Sequence, residues 1–286
     1  MVNEKERKRQ LKSTFLKLTR AAGKAIGDFR LIEEGDRIAV GMSGGKDSYT
    51  LREVLEDLRR KAPVNFELIP VNIDSGFPGY RKEVIVEFLR KEGFSCHSET
   101  TNAYEIIEQK LRAGSSYCAF CARLRRGSLY TLADRLNCNK IALGHHLDDL
   151  IETLLLNQFY GGTLGSMSPK LQADNGRHTV IRPLVYVEES LIAEYSRLRG
   201  HDIIHCSCPV EGTTDQNRQK MKQLVKNLEG DIPELRRSLL GALGNVQPHR
   251  LLDQELQLSL GHPRPLQAGH TGQAATEKRQ QGQQQQ

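Results

Sequence analysis

Short apolar runs alternate along the chain with longer stretches in which apolar residues recur at every third or fourth position. Four of the short runs are typical of buried strands, at residues 37–42, 67–73, 140–143 and 180–184. Helical periodicity lies between them, for example at residues 49–58 and 82–91. The pattern predicts an α/β fold, with a parallel sheet covered by helices on both faces and ligands at the carboxyl ends of the strands.

The two ends of the chain differ from this central pattern. In residues 8–31 the apolar positions follow a helical period with Lys and Arg between them, which predicts an amphipathic basic helix. After Asp253 aliphatic residues become scarce and the chain ends in a Gln-rich run, which is typical of disorder. No stretch is apolar over the roughly 20 residues that a membrane span needs, so we expect a cytoplasmic protein with no membrane partner.

The charge composition bears on the kind of partner that the protein binds. The chain has 286 residues, of which 38% are hydrophobic, and 41 Lys and Arg against 35 Asp and Glu give a net charge of +6. This balance favours a polyanionic partner such as a nucleic acid, although a basic enzyme without such a partner would have the same charge. The 6 Cys are too few and too clustered for a disulfide scaffold, and they indicate metal or redox chemistry.

The strongest chemical signal directly follows the first predicted strand. Residues 43–48 read Ser-Gly-Gly-Lys-Asp-Ser and lead into the helical pattern of residues 49–58. Paired glycines let backbone N–H groups approach an anion, and the helix presents its positive N-terminal end to the same place. The Walker spacing is missing, which disfavours γ-phosphoryl transfer. The string resembles the pyrophosphate loop of the ATP pyrophosphatases, which adenylate a carbonyl oxygen and release pyrophosphate.

This resemblance implies how the loop binds ATP. Lys46 would neutralise phosphate charge, and Asp47 would orient Mg²⁺ or the reacting groups, so these two are the predicted catalytic residues. Asp74, at the end of the second predicted strand, is a candidate for contact with adenine or ribose. The predicted phosphate-binding residues are Ser43, Gly44, Gly45, Lys46, Asp47 and Ser48.

A second polar run follows the third predicted strand, where residues 144–149 read Gly-His-His-Leu-Asp-Asp. Imidazoles and carboxylates beside a nucleotide can bind phosphate, hold Mg²⁺ or transfer protons. Helix capping would explain one carboxylate but not the whole run. We predict that Gly144, His145 and Asp149 belong to the nucleotide site, while the sequence does not decide how the neighbours His146 and Asp148 are oriented.

Two groups of cysteines are candidate metal ligands. Cys118 and Cys121 are separated by two residues, so both sulfurs can reach one metal, and Cys206 and Cys208 offer a further thiol. Spacing alone leaves zinc and an iron–sulfur cluster equally open. The remaining two cysteines have the pattern of ordinary packed or surface thiols.

An ordered set of motifs closely resembles the tRNA 2-thiocytidine synthetase family, over a span from about residue 12 to residue 253. The motifs are residues 32–38, 43–50, 118–127, 140–149, 159–162, 181–184 and 244–248. The resemblance implies ATP, Mg²⁺ and a 4Fe-4S cluster with three Cys ligands, of which Cys118 and Cys121 are two. Glu211 stands where the family pattern has a Cys, so the third ligand is either Cys208, which we favour, or Cys206.

The resemblance also implies a reaction and its partners. ATP would adenylate the C2 oxygen of a tRNA cytidine, at position 32, and sulfur would replace that oxygen to give 2-thiocytidine, AMP and pyrophosphate. A donor system such as a cysteine desulfurase would supply the sulfur, and the protein would form a homodimer. A related thiolase that acts on uridine and a non-catalytic, zinc-stabilised RNA-binding module remain as alternatives.

The residues after the cysteine pair indicate where tRNA would bind. Arg123, Arg125 and Arg126 would lie beside the reaction centre, although a solvent-exposed helix face has the same composition. Together the signals predict four regions. They are a basic N-terminal helical region (1–35), an ATP-binding catalytic domain (36–205), a C-terminal cluster-ligand and helical region (206–253) and a disordered Gln-rich tail (254–286).

Overall fold

A computed structural model describes residues 4–112, 116–174, 176–204, 207–208 and 216–261. Within these residues the strands are β1 (Asp36–Gly41), β2 (Phe66–Asp74), β3 (His97–Thr100), β4 (Lys140–Ala142), β5 (Lys170–Gln172) and β6 (Thr179–Ile181). They form one sheet with the order β3-β2-β1-β4-β6-β5. Neighbouring strands are parallel, except that β5 and β6 are antiparallel.

Helices make up most of the remaining described chain. They are α1 (Glu4–Phe29), α2 (Lys46–Arg59), α3 (Lys82–Lys91), α4 (Ala103–Lys110), α5 (Tyr117–Arg135), α6 (Leu147–Tyr160), α7 (Glu189–Arg199), α8 (Gln216–Glu229), α9 (Leu235–Gly244) and α10 (Gln254–Ser259), with a 3-10 helix at Pro248–Arg250. The chain divides into two compact units, Met1–Gly241 and Ala242–Gln286. In the described ranges no helix is both long and apolar enough to span a membrane.

Strand β1 shows how the sheet separates two cores. Ile38 and Val40 are fully buried and pack in a cluster to which α1, α2 and α7 contribute. Ala39, between them, packs with Leu132 and Ala133 of α5 in a different cluster. Because successive side chains of a strand point to opposite faces, helices cover both sides of this sheet. The predicted α/β architecture is therefore confirmed, with an antiparallel strand added at one edge.

Helix α1 is the predicted amphipathic helix at the start of the chain. Leu18, Ala22 and Ala25 are fully buried, and they follow one another at intervals of four and three residues. Lys12, Lys17 and Arg20 of the same helix are exposed. The apolar stripe thus faces the core, as the period predicts.

Two strands have no counterpart in the sequence-based assignment. β3 reads His-Ser-Glu-Thr and β5 reads Lys-Leu-Gln, and most of their residues are exposed. Both lie at the edges of the sheet. Edge strands are short and bury little, so they do not produce the apolar run that identifies a central strand.

The start of the predicted tail is also different in the structure. Disorder is predicted from residue 254, whereas Gln254–Ser259 form α10. The side chain of Asp253 accepts a hydrogen bond from the Leu256 amide at 3.0 Å, which caps this short helix. The predicted tail from residue 262 onward lies outside the described residues.

Candidate active site

The phosphate loop, residues 43–48, connects β1 to α2 at the carboxyl edge of the sheet. Gly44 has a φ of +82°, and its carbonyl accepts a hydrogen bond from the Ile204 amide at 2.9 Å. A β-carbon at position 44 would lie 2.9 Å from Ile204 Cβ. The left-handed backbone and this close approach both require glycine. The second glycine of the loop has another role, because Gly45 is the N-cap of α2.

The first turn of α2 offers backbone amides to a ligand. No side chain of the described residues caps this helix at Gly45. The Ser48 hydroxyl donates instead to the Gly45 carbonyl at 2.9 Å, which stabilises the turn. Amides that lack a cap, together with the positive end of the helix dipole, form an anion site. The loop therefore has the geometry of a phosphate-binding turn.

A cavity of about 520 Å³ opens beside the phosphate loop, and this size suits a nucleotide. Its wall on the side of the strands is formed by three residues of the loop and by residues at the ends of β1, β2, β4 and β6. The other loop residues, Gly44, Gly45 and Lys46, do not border it. That wall includes Met42, Ser43, Asp47, Ser48, Val71, Ile73, Leu143, Gly144, His145, Asp149 and Arg182. The opposite wall belongs to α5 and comprises Ala122, Arg125, Arg126, Leu129 and Tyr130.

Lys46 lies between two carboxylates. Its Nζ is 3.2 Å from Asp47 Oδ1 and 3.1 Å from Glu189 Oε1. Burial by itself would lower the pKa of Lys46, but the charges of Asp47 and Glu189 outweigh it and raise this pKa. Asp47 Oδ1 is buried and, apart from this ion-pair contact, has no hydrogen-bond partner within the described residues. A carboxylate oxygen of this kind suits a hard cation such as Mg²⁺.

His145 is held as a neutral imidazole. Burial, followed by the positive charge of Arg182, lowers its pKa to about 4. Arg182 Nε donates a hydrogen bond to His145 Nδ1 at 3.1 Å. Since Nδ1 accepts, the proton of the neutral ring resides on Nε2, which can donate to a ligand. Arg182 is a site residue that the sequence reasoning missed, because it lies inside the strand predicted at residues 180–184, whereas β6 ends at Ile181.

The other polar residues of the 144–149 run serve the helices around the site. His146 is 5% exposed and is the N-cap of α6. Asp148 accepts hydrogen bonds from the Glu189 amide at 2.7 Å and from Arg236 Nε at 2.8 Å. Asp149 caps α6, because its Oδ2 accepts from the His146 amide at 3.0 Å, and it also borders the cavity. Asp149 can therefore cap α6 and border the cavity at the same time.

Asp74 binds neighbouring protein groups and does not border the cavity. Its carboxylate accepts hydrogen bonds from the Gly76 amide at 2.9 Å and from Thr100 Oγ1 at 3.1 Å. Lys82 Nζ lies 3.3 Å from it. The residues of β2 that border the cavity are apolar. A contact between Asp74 and a nucleoside stays a prediction.

The paired cysteines are the second and fifth residues of α5, and the Ser116 hydroxyl caps this helix by accepting from the Ala119 amide at 3.3 Å. Cys118 is exposed, whereas Cys121 and Cys208 are partly buried. Cys121 and Cys208 pack in one apolar cluster, whose buried members are Phe77, Ile107 and Tyr117. Among the residues that the structure describes, no three His, Cys, Asp or Glu side chains form a metal-binding group, and Cys206 lies outside them.

Helix α5 connects the cysteines to the cavity. Arg125 and Arg126 border the cavity, about 6 to 8 Å along the helix axis from Cys121 at a rise of 1.5 Å per residue. Arg123 is exposed and is not part of the cavity wall. The structure therefore brings the phosphate loop, the cysteine pair and two of the three predicted RNA-binding arginines to one region.

The chain is similar in sequence to a known domain family and to named tRNA-modifying proteins. Residues 13–218 match the family model described as a PP-loop domain. Two proteins named tRNA-cytidine(32) 2-sulfurtransferase, from Syntrophotalea carbinolica and Geobacter sulfurreducens, are 63% and 60% identical to this chain over 243 residues. The matches cover 85% of this chain and 94% and 95% of those proteins.

A solved structure has the same fold. The U34-tRNA thiolase NcsA from Methanococcus maripaludis, determined with its 4Fe-4S cluster, matches with a TM-score of 0.68 and 22% sequence identity. The match covers 85% of this chain and 84% of that protein. At this identity the likeness concerns the fold, and it confirms the arrangement of sheet and helices described above.

Proposed function

This chain belongs to the tRNA-cytidine(32) 2-sulfurtransferase family within the PP-loop proteins, and from this premise we propose that it uses ATP to thiolate cytidine in tRNA. The C2 oxygen of the base would be adenylated with release of pyrophosphate, and sulfur would then replace it with release of AMP. The observation that carries the proposal is the position of α5, which has a cysteine pair at its start and borders the nucleotide-sized cavity one turn later.

The adenylation half of the site would use the phosphate loop. Amides of the first turn of α2 and the ammonium group of Lys46 would bind the phosphates of ATP. Asp47 would hold Mg²⁺, since its buried Oδ1 lacks a hydrogen-bond partner in the described part of the chain. His145 and Arg182 would donate hydrogen bonds to the charge that develops as the base oxygen attacks the α-phosphate.

The sulfur-transfer half would use the cysteines. We propose Cys118, Cys121 and Cys208 as the three ligands of a 4Fe-4S cluster, which would supply an iron that is open to sulfide. Cys208 is supported by its packing in the same apolar cluster as Cys121, while Cys206 lies outside the described residues. The same cluster contains Tyr117, whose hydroxyl donates a hydrogen bond to Glu108 Oε1 at 3.3 Å.

The apolar surroundings of the cysteines suit this chemistry. Phe77, Ile107 and Tyr117 are buried around Cys121 and Cys208. A hydrophobic shell limits the access of water and oxygen to a metal centre. Zinc would fit the thiols equally well by coordination chemistry, so the metal is decided by an assay of iron and sulfide on anaerobically purified protein.

We propose that tRNA reaches the site along α5, where Arg125 and Arg126 face the cavity. Both side chains could bind backbone phosphates next to the target base. Arg123 is exposed on the same helix and is proposed as a further, outer contact. The proposal further includes a cysteine desulfurase as the sulfur donor, a homodimer and a cytoplasmic location.

Substitution of Arg125 and Arg126 by Gln should weaken tRNA binding and reduce its dependence on salt. Each lost phosphate contact lowers the slope of log affinity against log salt by about 1, so the double variant should lose about 2. The control is Arg237→Gln, since that side chain is 87% exposed and is not part of the cavity wall. An unchanged salt slope in the double variant would remove these arginines from the tRNA site.

The proposed function is tested by mass spectrometry of tRNA nucleosides from cells that lack this chain. Loss of 2-thiocytidine, restored by the wild-type chain and not by Lys46→Ala, is the expected result. Loss of 2-thiouridine instead would identify a uridine thiolase. Unchanged thionucleosides, together with zinc in a colourless purified protein, would favour a non-catalytic RNA-binding module.

A further inference from the structure

Glu189 lies at the junction of three elements, and the proposed reaction gives it no role. It is the first residue of α7, and its side chain is 24% exposed. One carboxylate oxygen lies 3.1 Å from Lys46 Nζ in the phosphate loop. The other pairs with Lys222 of α8. The carboxylate thus bridges the phosphate loop and α8.

The backbone of Glu189 is fixed by a buried neighbour. Its amide donates to Asp148 Oδ2 at 2.7 Å, and the second oxygen of Asp148 accepts from Arg236 Nε at 2.8 Å. Asp148 is 7% exposed, so this link is shielded from water. A carboxylate that binds an amide in the first turn of a helix stabilises that turn. The backbone of Glu189 is therefore fixed at the point from which its side chain reaches Lys46.

The contacts of Lys46 leave one of its N–H donors for a ligand. An ammonium group has three N–H donors. Within the described residues, the partners of Lys46 are Asp47, with oxygens at 3.2 and 3.3 Å, and Glu189 at 3.1 Å. Lys46 does not itself border the cavity, whereas Asp47 beside it does. With one donor to each carboxylate, the third remains for a phosphate oxygen bound at the amides of the first turn of α2. Two fixed partners thus determine where the third donor points.

We propose that Glu189 is a positioning residue for Lys46 in the adenylation step, an inference that rests on the proposed function. It holds the ammonium group in the orientation that stabilises the charge of the leaving pyrophosphate. It does so at a cost in nucleotide affinity, because its own negative charge lies next to the phosphates. Lys222 limits this cost by neutralising part of that charge from the far side.

This arrangement predicts opposite effects of Glu189→Gln on binding and on rate. The variant keeps the size of the side chain and removes its charge. Less repulsion should tighten ATP binding about 3-fold, in the range of a partly exposed ion pair. Adenylation should slow about 10-fold or more, because the ammonium group of Lys46 is no longer held in one orientation and small displacements of catalytic groups have large effects on rate. Glu189→Asp retains the charge with a shorter reach and should recover part of the rate.

The experiment measures the dissociation constant of ATP without tRNA, and kcat and KM for ATP in 2-thiocytidine formation, on the full-length protein carrying its cluster. The control is Glu188→Gln, which removes an exposed carboxylate from the preceding residue, where Ser190 is its hydrogen-bond partner. We expect lower kcat with tighter ATP binding in Glu189→Gln, partial rescue in Glu189→Asp and wild-type values in Glu188→Gln.

Two results would overturn it. Wild-type kcat in Glu189→Gln would show that Lys46 needs no such partner. Weaker ATP binding, a lower melting temperature and unchanged kcat at saturating ATP would assign Glu189 a structural role alone. If the wild-type protein forms no 2-thiocytidine, the proposed function fails, and the dissociation constants still decide: tighter ATP binding in Glu189→Gln supports the inference, and unchanged or weaker binding contradicts it.

Discussion

Replacement of Cys208 by Ala should abolish formation of 2-thiocytidine and leave the affinity for ATP unchanged. A three-cysteine site that loses one ligand cannot retain its cluster. Even the loss of a group that only supports a metal ligand lowers metal affinity or activity about 10–100-fold. We therefore expect activity to fall at least about 100-fold. The phosphate loop, which Cys208 does not border, should bind ATP as in the wild type.

The measurement combines iron and sulfide content, nucleotide binding and 2-thiocytidine yield on anaerobically purified variants. Cys96→Ala is the matched control, because Cys96 is partly buried in the core on the α2 side of the sheet and burial raises its pKa to about 11. Cys206→Ala should retain the cluster. A cluster that is lost in Cys206→Ala and kept in Cys208→Ala would reverse the ligand assignment.

Replacement of Gly44 by Ala should reduce ATP affinity at least about 100-fold, since a displacement of about 1 Å in a binding group can have an effect of that size. The new β-carbon would lie 2.9 Å from both Ile204 Cβ and Ile204 Cδ1, and the φ of +82° is strained for any residue with a side chain. The loop must shift to relieve both, and its amides then no longer converge on the phosphates.

The control for backbone strain is Gly35→Ala. Gly35 has a φ of +79°, and a β-carbon there would meet no atom within 4 Å. Both variants should lose about 1–2 kcal/mol of stability from the left-handed backbone. Calorimetry should find weaker ATP binding in Gly44→Ala alone. Equal ATP affinities in the two variants would show that the fit of the loop against Ile204 has no part in binding.

The central strands and the phosphate loop could be predicted from the sequence because their signals are local. β1 is a buried apolar run, and the loop joins it to a helix within six residues, so neighbouring positions contain the information. The edge strands β3 and β5 are specified by pairing with distant segments, as in the contact of Leu171 with Val180. Such pairing leaves no apolar run in a short, exposed strand.

The residue types of the site could be predicted, but not all of their partners. Gly144, His145 and Asp149, which come soon after a predicted strand, border the cavity, and their contact with a nucleotide stays a prediction. Glu189 and Arg182 reach the site from elements far along the chain, and one sequence does not reveal such contacts. The structure places the cysteine pair at the start of α5, and the spacing of the two cysteines alone does not reveal that helix.

We propose that one site adenylates a tRNA cytidine and then delivers sulfur to the same base. A single-turnover reaction tests it most directly, with anaerobically purified protein, ATP, a sulfide source and one tRNA in two forms that carry cytidine or uridine at position 32. The account predicts one AMP and one pyrophosphate for each 2-thiocytidine, with no product from the uridine form. Release of ADP and phosphate, or 2-thiocytidine formation without ATP, would contradict it.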